Sequence, residues 1–137
     1  MTTARDIMTP DPKCVGENDT LVDAAVLMAE LDVGALPICG DDKRLKGMLT
    51  DRDIVVKSLA KDGDPRTTRA GELAEGKPVT VGADDDVEKA LELMKKHQIR
   101  RLPVIADHLL VGIISQADIA LSMSAQATGE TVEEISE

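Results

Sequence analysis

Aromatic side chains are missing altogether: the 137 residues include no Phe, Tyr or Trp. That absence removes the stacking platforms on which single-stranded nucleic acid is held, and any planar ligand must lie between aliphatic side chains. Cations are scarce as well. Sixteen Lys and Arg stand against 26 Asp and Glu, a formal net charge of −10, and such a field repels phosphate backbones and anionic lipid heads. Nucleic acid and membrane surfaces are therefore poor partners. No apolar run approaches a membrane span, and Met1 to Met8, which contains Arg5 and Asp6, holds no apolar stretch of signal-peptide length. The expected location is the cytoplasm. With two Cys and two His, neither a disulfide framework nor cofactor-free catalysis is well supplied. What is present is globular, 42% apolar and 31% charged. A chain of this length buries roughly two-thirds of its unfolded surface and needs no metal or disulfide to fold.

The sequence is written twice. Leu36-Pro37-Ile38 recurs as Leu102-Pro103-Val104, and at the same spacing Val15-Gly16 meets Val81-Gly82, Ala24 meets Ala90, and Leu27-Met28 meets Leu93-Met94. After a one-residue deletion the register continues: Gly47-Met48-Leu49-Thr50 faces Gly112-Ile113-Ile114-Ser115, and Asp53-Ile54 faces Asp118-Ile119. Two repeats are too few for a solenoid and are expected to pack as a pseudo-symmetric pair. The first, with its polar connector, spans 1–66, the second 67–124, and an acidic tail follows at 125–137.

Each half reads helix–strand–helix–strand–strand–helix, an α+β pattern. Short helical turns are expected at Asp6-Ile7-Met8 and Glu72-Leu73-Ala74, then extended segments at 13–15 and 78–81. Leu21, Ala24, Ala25, Met28 and Leu31 fall at helical spacing, as do Val87, Ala90, Leu91 and Met94. Thr20 with Asp23 resembles a capping box, and Asp84-Asp85-Asp86 suits the positive end of the second helix. Strand pairs are expected at 35–39 with 45–50 and at 101–105 with 110–115. Closing helices follow near 53–60 and 118–124.

Gly47-Met48-Leu49-Thr50-Asp51-Arg52-Asp53 and Gly112-Ile113-Ile114-Ser115-Gln116-Ala117-Asp118, each after a Leu-Pro strand, resemble the end of a CBS motif. The likeness runs from about Ala4 to Ser124. It implies a tandem CBS pair, or Bateman module, similar to the small stand-alone bacterial hypoxic-response type. From it follow a regulatory role, clefts between the repeats for AMP, ATP or S-adenosylmethionine, a homodimer, and an effector on another protein.

The residues themselves support such a site. One ionised carboxylate can accept from both hydroxyls of a ribose, and Asp53 and Asp118 each sit in the first turn of a helix just after a strand. Thr50 and Ser115 lie at the junction, where unpaired backbone N–H groups favour an anion. Adenine would then lie among Val15, Ile38 and Met48 in one half, or Val81, Val104 and Ile113 in the other. Thr50-x-x-Asp53 and Ser115-x-x-Asp118 are equally the spacing of a helix cap, worth about 0.5–2 kcal/mol with no ligand, and one residue can serve both ends. Arg100 and Arg101 precede the second Leu-Pro strand where the first half has Gly34 and Ala35. They, with Arg52, pair with Asp53 and Thr50 in a phosphate-binding reading. The competing reading makes them solvated cations on an acidic chain.

Cys14 and Cys39 both belong to the first repeat; their counterparts are Thr80 and Ile105. In a reducing compartment two packed thiols are expected, with a Cys14–Cys39 disulfide as the alternative. A zinc site among Cys14, Cys39, His97 and His108 lacks ligand spacing, and no metal is expected. His97 suits a helix C-terminus and His108 a hairpin turn, neither beside a nucleophile, so no catalytic residue is assigned. Met28 and Met94 occupy equivalent core positions.

Overall fold

In a computed structural model describing residues 1–74 and 76–123, both long helices form on the apolar spacing. The tail at 125–137 lies outside the described residues. Helix α2 (Leu21–Leu31) buries Leu21, Ala24 and Met28, and α4 (Val87–His97) buries Ala90 and Met94. The start of α2 is a capping box: Asp23 N–H donates to Thr20 Oγ1 at 3.1 Å, and Thr20 N–H donates to Asp23 Oδ2 at 3.1 Å. It ends at Asp32, left-handed at φ 55°. Helix α4 opens on the Asp86 carboxylate, which accepts from Glu88 N–H at 2.9 Å, and closes at Gln98 with Lys95, Lys96 and His97 in its last turn. Those cations meet the negative end of the helix dipole.

The short elements are α1 (Ala4–Ile7), β1 (Thr9–Pro10), β2 (Val15–Gly16) and β5 (Val81–Gly82). The longer strands are β3 (Ala35–Cys39), β4 (Leu45–Thr50), β6 (Arg101–Ala106) and β7 (Leu109–Ser115). One sheet runs β2-β3-β4, the other β1-β7-β6-β5. In the first, β2 lies parallel to β3, with Val15 opposite Ile38 and Gly16 opposite Cys39. Strands β3 and β4 are antiparallel, and their register shifts between Ile38 and Cys39. That bulge falls where the first repeat carries one residue more than the second. In the second sheet Val81 stands opposite Val104, repeating the parallel pair.

The closing helix of the first half starts as α3 (Asp51–Asp53), widens to a π-helical turn at Ile54–Ser58 and tightens to a 3-10 turn at Leu59–Lys61. Residues 116–123 are helical in the second half.

Compact packing does not follow the repeat boundaries. Among the described residues one unit comprises Met1–Asp11, Val79–Asp107 and 111–123, the other 12–78 with His108–Leu110. The opening turns have changed places. Arg5 N–H donates to Ala83 O at 2.9 Å, Ala4 N–H to Asp85 O at 2.8 Å, and Thr9 pairs with Ile113. Conversely the 3-10 turn Ala70–Leu73 binds the first half, with Ala70 N–H on Asp19 O at 2.7 Å and Gly71 N–H on Glu17 O at 2.9 Å. Ala4 and Ala70 are both wholly buried, each in the core it joins. The exchange explains the motif glycines. A Cβ on Gly47 would stand 2.9 Å from Ala74 Cβ, and one on Gly112 would collide with Met8, the repeat counterpart of Ala74.

Candidate functional site

Asp53 and Asp118 occupy the same local geometry. Thr50 N–H donates to Asp53 Oδ2 at 3.0 Å, and Asp53 N–H donates to Thr50 Oγ1 at 3.0 Å. In the other unit Ser115 N–H donates to Asp118 Oδ2 at 2.9 Å, and Asp118 N–H to Ser115 Oγ at 3.1 Å. Each helix start is also tied to the residue before the Leu-Pro strand of its own unit: Asp51 N–H to Gly34 O at 2.9 Å, Gln116 N–H to Arg100 O at 2.8 Å. The capping arrangement is therefore real. It is also common in this chain, because Asp6, Asp19, Asp23, Glu72 and Asp85 close the same three-residue loop onto a backbone N–H. The spacing alone does not set Asp53 and Asp118 apart from these; their position after a Gly-apolar-apolar strand does.

Capping leaves both carboxylates with accepting capacity. An ionised carboxylate offers about four lone-pair sites. Asp53 commits one to Thr50 N–H and one to Lys57 Nζ, which lies 3.3 Å from Oδ1, and its side chain is 21% exposed. About two sites remain, the number a vicinal diol needs. Asp118 commits one to Ser115 N–H and makes no ion pair among the described residues. Lys57 is the site residue that sequence reasoning missed. The i,i+4 spacing from Asp53 was the signal for it. Its repeat counterpart is Ser122.

Arg52, Arg100 and Arg101 are exposed. Arg101 opens β6, and the backbone of Arg100 lies beside the Asp118 junction of its own unit. Val15, Ile38, Val81 and Val104 are core residues, at most 2% exposed, so they present almost no surface on which an adenine could lie, unlike what the sequence suggests. Met48 and Ile113 are half-buried. Each unit has a hollow lined by described residues. The first, about 420 Å³, lies beside the end of α4 with Met94, Ile119, Lys95 and Arg100 in its lining. The second, about 390 Å³, is polar, with Glu17, Lys46, Arg69 and Glu72. Neither is lined by Asp53 or Asp118.

Cys14 and Cys39 form a disulfide, with Cα atoms 5.8 Å apart. The expectation of two packed thiols is corrected: Cys14, the residue before β2, and Cys39, the last residue of the neighbouring β3, stand within disulfide reach of each other. Cys39 is 7% exposed. Among the described residues no group of three or more His, Cys, Asp or Glu is placed to hold a metal ion, and no helix is long and apolar enough to cross a membrane.

These doubled units define a tandem CBS pair. The CBS-domain profile matches residues 4–59 and 70–125, and the chain belongs to that family. It is similar to Hypoxic response protein 1 of Mycobacterium tuberculosis, 54% identical over 135 residues that cover 98% of this chain and 94% of that protein. Among solved structures it resembles Hypoxic Response Protein I with two coordinated zinc ions, at TM-score 0.83 and 58% identity, covering 87% of this chain and 97% of that one. It also resembles CBSX2 in complex with AMP, at TM-score 0.79 and 27% identity, covering 93% and 99%. The zinc belongs to the first of those structures and the AMP to the second.

Proposed function

We propose that the chain is a non-enzymatic regulatory module that binds an adenosine-containing small molecule of the AMP, ATP or S-adenosylmethionine class. It works as a cytoplasmic homodimer in a stress response, and its output goes to a separate effector protein. One observation carries the reading: two repeat-equivalent carboxylates, Asp53 and Asp118, are fixed by their own helix starts yet keep lone pairs open. The AMP held by a similar CBS protein supports the ligand class.

In this reading Asp53 accepts from the ribose hydroxyls and Thr50 holds the helix start that carries it. Arg101, with Arg100 and Arg52, pairs the phosphate, at about 1.5–3 kcal/mol per charged hydrogen bond. Ser115 and Asp118 take a less charged adenosyl compound or none. Binding changes the output only through different affinities for two arrangements of the protein. Calorimetry with AMP, ATP, S-adenosylmethionine and NAD tests it. Asp53→Ala and Arg101→Ala should each weaken AMP about tenfold or more, while Asp118→Ala leaves AMP in place. Loss on Asp53→Ala with none on Arg101→Ala would overturn the phosphate assignment, and no heat with any of the four ligands would overturn the function.

The disulfide favours a second reading, in which Cys14 and Cys39 set the state of a ligand-free homodimer. A dithiol reductant would return both thiols and leave as its own disulfide. Running the same titrations under reducing and oxidising conditions separates the two: ligand heat in either state supports the first reading. A redox-dependent change in mass without ligand heat supports the second.

A further inference from the structure

The closing helix of the first half is pinned at both ends. At its start the Thr50–Asp53 capping box fixes the first turn. At its end Gly63 N–H donates to Ser58 O at 2.8 Å and Asp62 N–H to Leu59 O at 3.3 Å, with Asp62 left-handed at φ 59°. These are the two bonds of a Schellman cap. Between the pins the helix is irregular, π over Ile54–Ser58 and 3-10 over Leu59–Lys61, whereas its repeat counterpart is α-helical over 116–123. A wide turn followed by a tight one averages to the advance of an α-helix, so 54–61 can rewind as α with neither end moving.

The α register lies close at hand. Leu59 N–H is shared between Ile54 O, its π acceptor, and Val55 O, its α acceptor. The Ser58 hydroxyl is buried with no hydrogen-bond partner among the described residues. An α turn would bring it to the Ile54 carbonyl, the i−4 acceptor to which a helical serine back-bonds. Lys57 ties this turn to the candidate site: its Nζ lies 3.3 Å from Asp53 Oδ1, and its backbone belongs to the π turn.

We infer that Ile54–Lys61 is a two-register switch worked by Lys57. With Lys57 on Asp53 the segment is π and then 3-10. When a phosphate draws the ammonium off the carboxylate, the segment rewinds to continuous α and the Ser58 hydroxyl donates to Ile54 O. The inference rests on the adenosyl-binding reading and adds a regulation to it. A phosphorylated ligand throws the switch, while the uncharged nucleoside, with nothing to draw Lys57, leaves it set. A ligand shifts the two registers only by its different affinity for them, and that difference is the Lys57–phosphate contact.

NMR couplings across hydrogen bonds, measured on the isotope-labelled full chain, read the register, because the Leu59 amide nitrogen couples to the carbonyl carbon that accepts its proton. In the ligand-free chain the coupling should be divided between Ile54 and Val55. Saturating AMP should move it to Val55 alone, and saturating adenosine should leave it divided. Lys57→Ala should move it to Val55 with no ligand present. A divided coupling in AMP-saturated protein, or in ligand-free Lys57→Ala, would overturn the switch. The same shift with adenosine as with AMP would overturn Lys57 as its trigger. Failure of AMP to bind, seen as an unmoved Asp53 resonance, would instead refute the adenosyl reading, and the ligand-free Lys57→Ala spectrum would still decide whether Lys57 sets the register.

Discussion

Breaking the Cys14–Cys39 bond gives a stability change that can be worked from chain length. The bond closes a loop of sequence separation 25, which contains the whole of α2 and most of β3. On the loop-entropy account such a closure removes about 3.5 kcal/mol of freedom from the unfolded chain at 25 °C. Little else is lost on reduction. Cys39 is buried and Cys14 half-buried, and a free thiol packs as a small apolar group. A fall of about 10 °C in Tm is expected for a chain of this size. Thermal unfolding with and without a phosphine reductant measures it, with Cys14→Ser and Cys39→Ser as controls that the reductant should no longer affect. Thiol titration of the native protein supplies the denominator. Equal melting of oxidised and reduced protein would refute the loop argument, and two titratable thiols in protein prepared without reductant would refute the bond.

Gly47→Ala should cost about 1–3 kcal/mol by overpacking, because its new Cβ meets Ala74 Cβ at 2.9 Å; Gly112→Ala should cost less, since the Met8 side chain it meets can bend away. Urea unfolding of the two variants ranks them, and a larger loss at Gly112 would contradict the packing. Ser58→Ala should raise stability by about 1 kcal/mol in the same assay, because the Ser58 hydroxyl is buried in the π-helical turn without a hydrogen-bond partner among the described residues. A destabilised variant would show that the hydroxyl is satisfied. The Gly82 N–H, with Lys89 in support, holds the Asp85 carboxyl below its ordinary 3.8. A lowered carboxyl contributes stability that is complete above the unfolded value and lost as pH falls through the folded one. Thermal stability should therefore decline below about pH 4, less steeply in Asp85→Asn, and an unchanged slope would remove that residue from the acid response.

Periodic and repeated signals were legible; exchanged ones were not. Helices 21–31 and 87–97 and the four long strands came from apolar spacing and from the doubling of Leu-Pro and Gly-apolar-apolar. The opening turns formed two residues earlier than expected, at Ala4 and Ala70 rather than Asp6 and Glu72. The physical reason is that a small side chain, rather than an acidic cap residue, is what the receiving core takes in. Strand β1 had no signal, since Thr9-Pro10 has no alternation and forms only because β7 offers it an edge. Extended segments at 13–15 and 78–81 shrank to Val15–Gly16 and Val81–Gly82. For the site, the caps at Asp53 and Asp118 could be read directly, whereas the cation at one of them was carried only by the i,i+4 spacing of Lys57 from Asp53. The burial of Val15, Ile38, Val81 and Val104 follows from parallel pairing of β2 with β3 and β5 with β6, which periodicity does not reveal.

Duplicated backbone with unduplicated side chains makes the two halves chemically distinct. Both halves spend the same hydrogen bonds on the same helix starts, so neither cap can change without loosening the strand-to-helix junction beneath it. Selection is then free to act on positions that the caps do not constrain. At one such position Lys57 pairs with Asp53 while Ser122 stands near Asp118, at another Gly34 answers Arg100, and at a third Val26 answers Glu92. In the proposed site Lys57 offsets part of the Asp53 charge, so a phosphorylated ligand would meet less repulsion there than at Asp118, whose carboxylate makes no ion pair among the described residues. On this argument Lys57→Ala should weaken AMP binding more than adenosine binding. A loss equal for both ligands would show that Lys57 orients the carboxylate and does not offset its charge.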